Sequence, residues 1–133
     1  MRILGIEVVV RRNIPAYKLN EVTLNLRQLQ AQVMVWTDRN FKDREGWMPV
    51  MGVCEEAGEM AHAYLKLKQG IRGTPEEHEA KLKDAAADVI IFCADVANMA
   101  GFDLSDVLTT TWEKVRERDW TKAPKGGKVD RPK

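Results

Sequence analysis

The chain has 133 residues and a mass of 15.1 kDa, the size of one domain, and its 21 Lys and Arg almost balance its 20 Asp and Glu. Residues 121–133 hold five bases and one acid, which leaves sixteen bases against nineteen acids in residues 1–120; a slightly acidic folded part argues against nucleic-acid binding through a concentrated basic face. Hydrophobic residues at 44% supply a core, two cysteines make no disulfide framework, and the most apolar stretch, Val89 to Met99, is interrupted by Asp95 and Asn98, far short of the roughly 20 residues of a membrane span.

In chain order, Ile3 to Val10 is rich in β-branched residues and reads as a short strand or an extended N-terminal arm, ended by Arg11-Arg12-Asn13-Ile14-Pro15. It contains Glu7 and no small-residue cleavage pattern follows, so no signal peptide is expected and the location is read as cytoplasmic. From about residue 21 to 37, Val22, Leu26, Leu29, Val33 and Trp36 recur at helical spacing. Phe41 to Trp47 reads as a charged loop, and Pro49 suits the first turn of a second helix running to about Gln69. Gly70-Ile71-Arg72-Gly73 ends that helix; Thr74-Pro75-Glu76-Glu77 starts a third, with a cap, a proline and two acids at the positive end of the dipole. Gly101 stops the third helix after Ala100, and Asp103 and Asp106 frame the start of a fourth, with Leu104, Val107, Leu108, Thr111 and Val115 expected inward. Residues 121–133, with Pro, Gly and Lys and no periodicity, read as a mobile basic tail. The expectation is an all-α, four-helix bundle-like domain over residues 1–120 and a flexible tail over 121–133.

The chemistry is concentrated in the second and third helices. At about 100° per residue, Asp84, Asp88, Asp95 and Asn98 share a stripe roughly 80° wide on an otherwise small and apolar third helix. On the second helix Glu55, Glu59, His62 and Lys66 form a comparable stripe, with Glu56 on its flank. In an antiparallel pair turning near residue 72, Glu55 stands level with Asp88 and Glu59 with Asp84. Four carboxylates converging in a site withdrawn from water need protons or cations, and a hard divalent ion bound through oxygen meets that need. Mg²⁺, with Mn²⁺ as a substitute, fits best because it keeps waters that phosphates can replace, so the seam reads as a site for a polyphosphate. The bland alternative is a set of acids facing water at the edge of the domain.

Other residues join with less force. His62, three after Glu59, makes an E-x-x-H element, but a di-iron carboxylate bundle needs that element twice and Pro75 stands three before His78; His62 is either at the edge of the site or an ordinary packed histidine. Lys114 and Arg118, four apart on the last helix, either reach a phosphate chain or pair with Glu113 and Glu117. Trp36, Asn40 and Trp47 either stack on and hydrogen-bond a base or pack locally.

Taken in order, Trp36-Thr-Asp-Arg-Asn-Phe41, Gly52-Val-Cys-Glu-Glu-Ala-Gly-Glu-Met-Ala-His62, Lys83-Asp-Ala-Ala-Ala-Asp-Val-Ile-Ile-Phe92, Ala97-Asn-Met-Ala-Gly-Phe-Asp-Leu104 and Trp112-Glu-Lys-Val-Arg-Glu-Arg118 resemble the MazG-like branch of the all-α NTP pyrophosphatases over about residues 30–120. That family's signature is E-E-x-x-E followed by E-x-x-D. The first half is intact as Glu55, Glu56 and Glu59; in the second, Ala85 stands three before Asp88 and the nearest acid is Asp84, four before. The resemblance implies Mg²⁺-dependent cleavage of a nucleoside triphosphate between the α- and β-phosphates, with Glu55, Glu56, Glu59, Asp84 and Asp88 around metal. It implies Glu55 or Glu56 as the group that orients or deprotonates water, Lys114 and Arg118 on the phosphates, and Asn98 as a supporting or base contact. A homodimer or dimer of dimers is implied as well. The Ala85 departure keeps a second expectation open: a non-catalytic helical dimer that binds a nucleotide or a protein partner with a degraded metal site.

Overall fold

A computed structural model of the chain describes residues 23–119 and 121, together with the backbone of Arg2–Ile3 and Ile6–Glu7. By their internal contacts the residues divide into two units, 24–108, and 1–23 with 109–133. The described residues form four helices: α1 Leu26–Asn40, α2 Trp47–Gln69, α3 Pro75–Ala100 and α4 Leu104–Arg116. The expected all-α domain is what is found.

Each helix of the first unit begins and ends where its local chemistry dictates. Asn25 caps α1, its side chain accepting from the Gln28 amide while Gln28 returns the bond to the Asn25 amide. The periodicity alone put the start of α1 near residue 21; the capping box, unread in the sequence, sets it at Leu26. Thr74 and Glu77 form the same reciprocal pair at the head of α3, and α3 spans the residues expected of it. Gly70 and Gly101 close α2 and α3 in the left-handed conformation, φ 65° and 78°, which glycine adopts without steric cost.

Within this unit α3 is central, packing on α2 along one side and on α1 along another. The turn between α2 and α3 brings Gly52 opposite Phe92, residues equally distant by count from residue 72, as an antiparallel hairpin turning there requires. His78, 3% exposed, pins this turn from inside through Nε2 to the Ile71 carbonyl at 3.0 Å. At the other end, Gln30 of α1 holds the α3–α4 connection with both ends of its amide, donating to the Phe102 carbonyl and accepting from the Leu104 amide. Arg27 adds ion pairs to Asp103 and Asp106.

The buried apolar residues are small: Val33, Ala63, Ala85, Ala94 and Ala97. Alanines along α3 let neighbouring helices approach closely, but they bury little area each. Large apolar side chains stay exposed, among them Val50, Met51 and Leu65 on α2 and Ile90 on α3.

One expectation changes here. On α4, Leu104 is half-buried, but Val107 and Leu108 are 46% and 55% exposed, and Thr111 and Val115 are exposed too. An amphipathic face records a need for cover and does not name the covering surface; the helix pairs that form in residues 24–108 are α2–α3 and α1–α3. At the N-terminus, Arg2–Ile3 pairs antiparallel with Ile6–Glu7 in a minimal two-stranded ladder, with Arg2 opposite Glu7 and Ile3 opposite Ile6. The rest of the expected arm, residues 4–5 and 8–10, and all of the expected mobile tail but Thr121 lie outside the described residues.

Candidate functional site

A cavity of about 1040 Å³ opens between α1, the loop that follows it, and the α2–α3 hairpin. Its two ends differ in chemistry.

One end is acidic. Glu56 of α2 and Asp88 of α3 both line the cavity and are half-buried, while Glu55, Glu59 and Asp84 are exposed beside them. The Glu56 carboxyl is held above the ordinary glutamate range, first by loss of hydration and then by the charges of Asp88, Glu55, Glu59 and Asp84. The other four acids read from the sequence therefore all act on Glu56, which helix angles had placed on the flank. The seam is also more open than expected. Three of its acids are exposed, and of the five only Glu56 and Asp88 line the cavity.

An all-carboxylate set suits a hard cation such as Mg²⁺, and no Lys or Arg figures among the leading influences on Glu56. Among the described residues, however, no three of His, Cys, Asp and Glu stand close enough together to enclose an ion. Ala85, at the position three before Asp88, is 4% exposed and faces the helix packing. Asp84, one residue earlier, is swung to the solvent side.

The other end is aromatic and contains an ion pair that the sequence reading did not anticipate. Trp36 and Phe41 pack edge to face, ring centres 5.4 Å apart, and both line the cavity together with Phe92. Arg44, on the loop between α1 and α2, donates from Nη1 to Asp95 Oδ2 at 2.5 Å and from Nη2 to Thr37 Oγ1 at 2.9 Å. Thr37 in turn donates a hydrogen bond from its hydroxyl to the Val33 carbonyl at 2.9 Å. The side chains of Arg44 and Asp95 are 13% and 8% exposed, so this pair is withdrawn from water. Asp95 Oδ1 is buried without a hydrogen-bond partner, a state that costs about 1–3 kcal/mol if nothing fills it. Asp95 lay on the predicted acid stripe; Arg44 gave no sign, being one charge among several in a loop whose path turns at Asp43, φ 56°.

The remaining predicted residues are dispersed. Asn40 lines the cavity, its amide donating back to the Trp36 carbonyl at 2.7 Å. Trp47 is not part of the wall; its indole N–H is tied to Glu45 at 2.8 Å and its ring is 58% exposed. Asn98 donates to the Gln30 carbonyl at 3.0 Å and serves to join α3 to α1, away from the cavity wall. His62 is exposed on α2 outside the lining. Lys114 and Arg118 are exposed and belong to the second unit.

A comparison with protein families matches residues 49–121, more than half of the chain, to the MazG nucleotide pyrophosphohydrolase domain. The chain belongs to the MazG family. Searches of curated proteins and of solved structures each returned no match. The matched segment contains every acid of the cluster, and membership supports a nucleotide pyrophosphohydrolase with a nucleotide substrate. The MazG match begins after Trp36, Thr37 and Arg44, so the aromatic end of the cavity, apart from α3's own residues, is built by chain that precedes it.

Proposed function

We propose that this MazG-family chain is a Mg²⁺-dependent nucleoside triphosphate pyrophosphohydrolase, cleaving between the α- and β-phosphates to give the monophosphate and pyrophosphate. The observation that carries the reading is that Glu56 and Asp88 line one end of a cavity whose other end is aromatic, with the charges of Glu55, Glu59 and Asp84 also acting on Glu56. Those five carboxylates would hold the ion, with Mn²⁺ a workable substitute. When bound, Mg²⁺ supplies charge neutralisation for the phosphates and eases loss of a proton from water.

The protein's own part is orientation and proton transfer. Glu56 holds its proton more firmly than an ordinary glutamate, which moves it toward the pH at which a general base works best. It, or Glu55 beside it, aligns the attacking water and takes its proton as oxygen bonds to phosphorus and the α–β anhydride bond breaks. Trp36 gives the base a flat apolar surface, and the cavity wall keeps bulk water from that part of the ligand.

A homodimer, or a dimer of dimers, is part of the proposal. Among the described residues the buried apolar side chains are small, Pro49 and Val33 among the largest, whereas Val50, Met51 and Leu65 leave α2 with exposed apolar side chains. A second copy of the chain is the cover proposed for them.

The test is pyrophosphate release from a panel of NTPs and dNTPs with Mg²⁺ or Mn²⁺. Glu59→Ala and Asp88→Ala are each expected to lose turnover by about 100-fold or more, and unchanged turnover in both refutes the assignment. A second reading, a helical dimer that binds nucleotide without cleaving it, is favoured by the burial of Ala85 in place of an acid. No release above blank across the panel selects it.

A further inference from the structure

The acidic cluster accounts for one end of the cavity and leaves the other without a task. At that end Asp95 is 5% exposed and lines the wall. Its Oδ2 is taken by Arg44, which is held in turn by Thr37, so the carboxylate is locked in orientation with one acceptor used and one open. Buried acceptors are nearly always satisfied, and an occupant of the cavity that brings an N–H supplies the missing donor. Arg44 has five N–H groups, of which Asp95 and Thr37 engage two, so an open acceptor and spare donors lie side by side.

Spacing along α3 links this pair to the acids. Asp88 and Asp95 are seven residues apart on one face, about 10 Å along the helix axis. That is the order of the separation between a base edge and the phosphate chain of a single nucleotide. With phosphates at Glu56 and Asp88, the base reaches Asp95 past Trp36 and Phe92. Stacking on aromatic rings does not tell one base from another, so the choice falls to the polar pair.

We propose that Asp95 is the base-selecting residue of this site, its Oδ1 accepting the exocyclic N–H of a nucleobase that carries an amine next to a ring-nitrogen acceptor, as cytosine and adenine do, with the Arg44 guanidinium donating to that ring nitrogen. The inference rests on the nucleotide reading of the cavity given above. Bases with a carbonyl in place of the amine, such as uracil and hypoxanthine, set oxygen against the carboxylate and are rejected by repulsion as well as by the unmet bond.

The experiment measures equilibrium binding of dCMP, dUMP, dAMP and dIMP to the full chain with Mg²⁺, alongside pyrophosphate release from the four matching triphosphates. In at least one amine/oxo pair the wild-type protein is expected to bind the amine member roughly tenfold or more tightly, and Asp95→Asn, nearly isosteric, is expected to level or reverse that ratio. Equal binding within both pairs, or no binding of any of the four, overturns the proposal without recourse to the variant. Pyrophosphate release with no base preference leaves the hydrolase standing and removes Asp95 from it. A binding preference without pyrophosphate release sustains Asp95 and refutes the hydrolase.

Discussion

The Phe92 ring lies on the backbone of Gly52: a Cβ built at residue 52 would stand 2.3 Å from Phe92 Cε1. No real side-chain carbon tolerates that distance, so the α2–α3 register depends on a missing methyl group. The same contact sets the level at which Glu56 meets Asp88, one helical turn farther toward the hairpin turn on each strand of the pair.

Gly52→Ala therefore forces Phe92 off the helix, and overpacking of this kind costs about 1–3 kcal/mol. Chemical denaturation should show the loss directly. Phe92→Leu in the same chain makes room for the new methyl, and is expected to recover part of it; no destabilisation of the single variant would mean that the ring yields freely.

Glu56 ties stability to pH. Its carboxyl is raised above the ordinary glutamate value of 4.5 in the folded chain, so the folded state binds that proton more tightly than the unfolded state does. Stability from this group is greatest at low pH and falls as pH rises from about 4.5 through the raised value. Glu56→Gln should accordingly raise the melting temperature of the metal-free protein at neutral pH and flatten its decline over that interval. Added Mg²⁺ should stabilise wild type more at neutral pH than near pH 5, where protons compete for the same oxygens. A Glu56→Gln melting curve identical to wild type at every pH would show that the acids do not burden one another.

The buried ion pair gives an asymmetric prediction. Arg44→Ala leaves the Asp95 carboxylate without its ion-pair partner in a site withdrawn from water, a change worth about 3–5 kcal/mol. Arg44→Met with Asp95→Leu removes both charges and should be far less destabilised than Arg44→Ala. Unfolding free energies of the two variants, measured together, decide the point; equal losses would mean that the carboxylate is hydrated after all.

Asn98 should separate structure from chemistry. Its amide joins α3 to the Gln30 carbonyl, and Asn98→Ala is expected to cost about 1–3 kcal/mol by leaving that carbonyl unpaired. Turnover of the folded variant should match wild type in both kcat and KM. A raised KM with unchanged stability would return Asn98 to the ligand.

The helices were legible in the sequence because their determinants are local. Thr74-Pro75-Glu76-Glu77 starts α3, Gly70 and Gly101 stop α2 and α3, and the spacing of acids about residue 72 follows from the pitch of two helices joined by a short turn. These are properties of a few neighbouring residues, and they hold wherever the segment packs. Glu55, Glu56, Glu59, Asp84 and Asp88 could be grouped for the same reason. What the tertiary structure alone decided is depth and pairing: that Glu56 and Asp88 line the cavity while the other three acids are exposed, that Asn98 spends its amide on α1, and that Arg44 reaches across fifty-one residues of chain to Asp95. Burial and long-range hydrogen bonds depend on which surfaces meet, and that is a property of the whole packed chain, which no residue's neighbours in sequence encode.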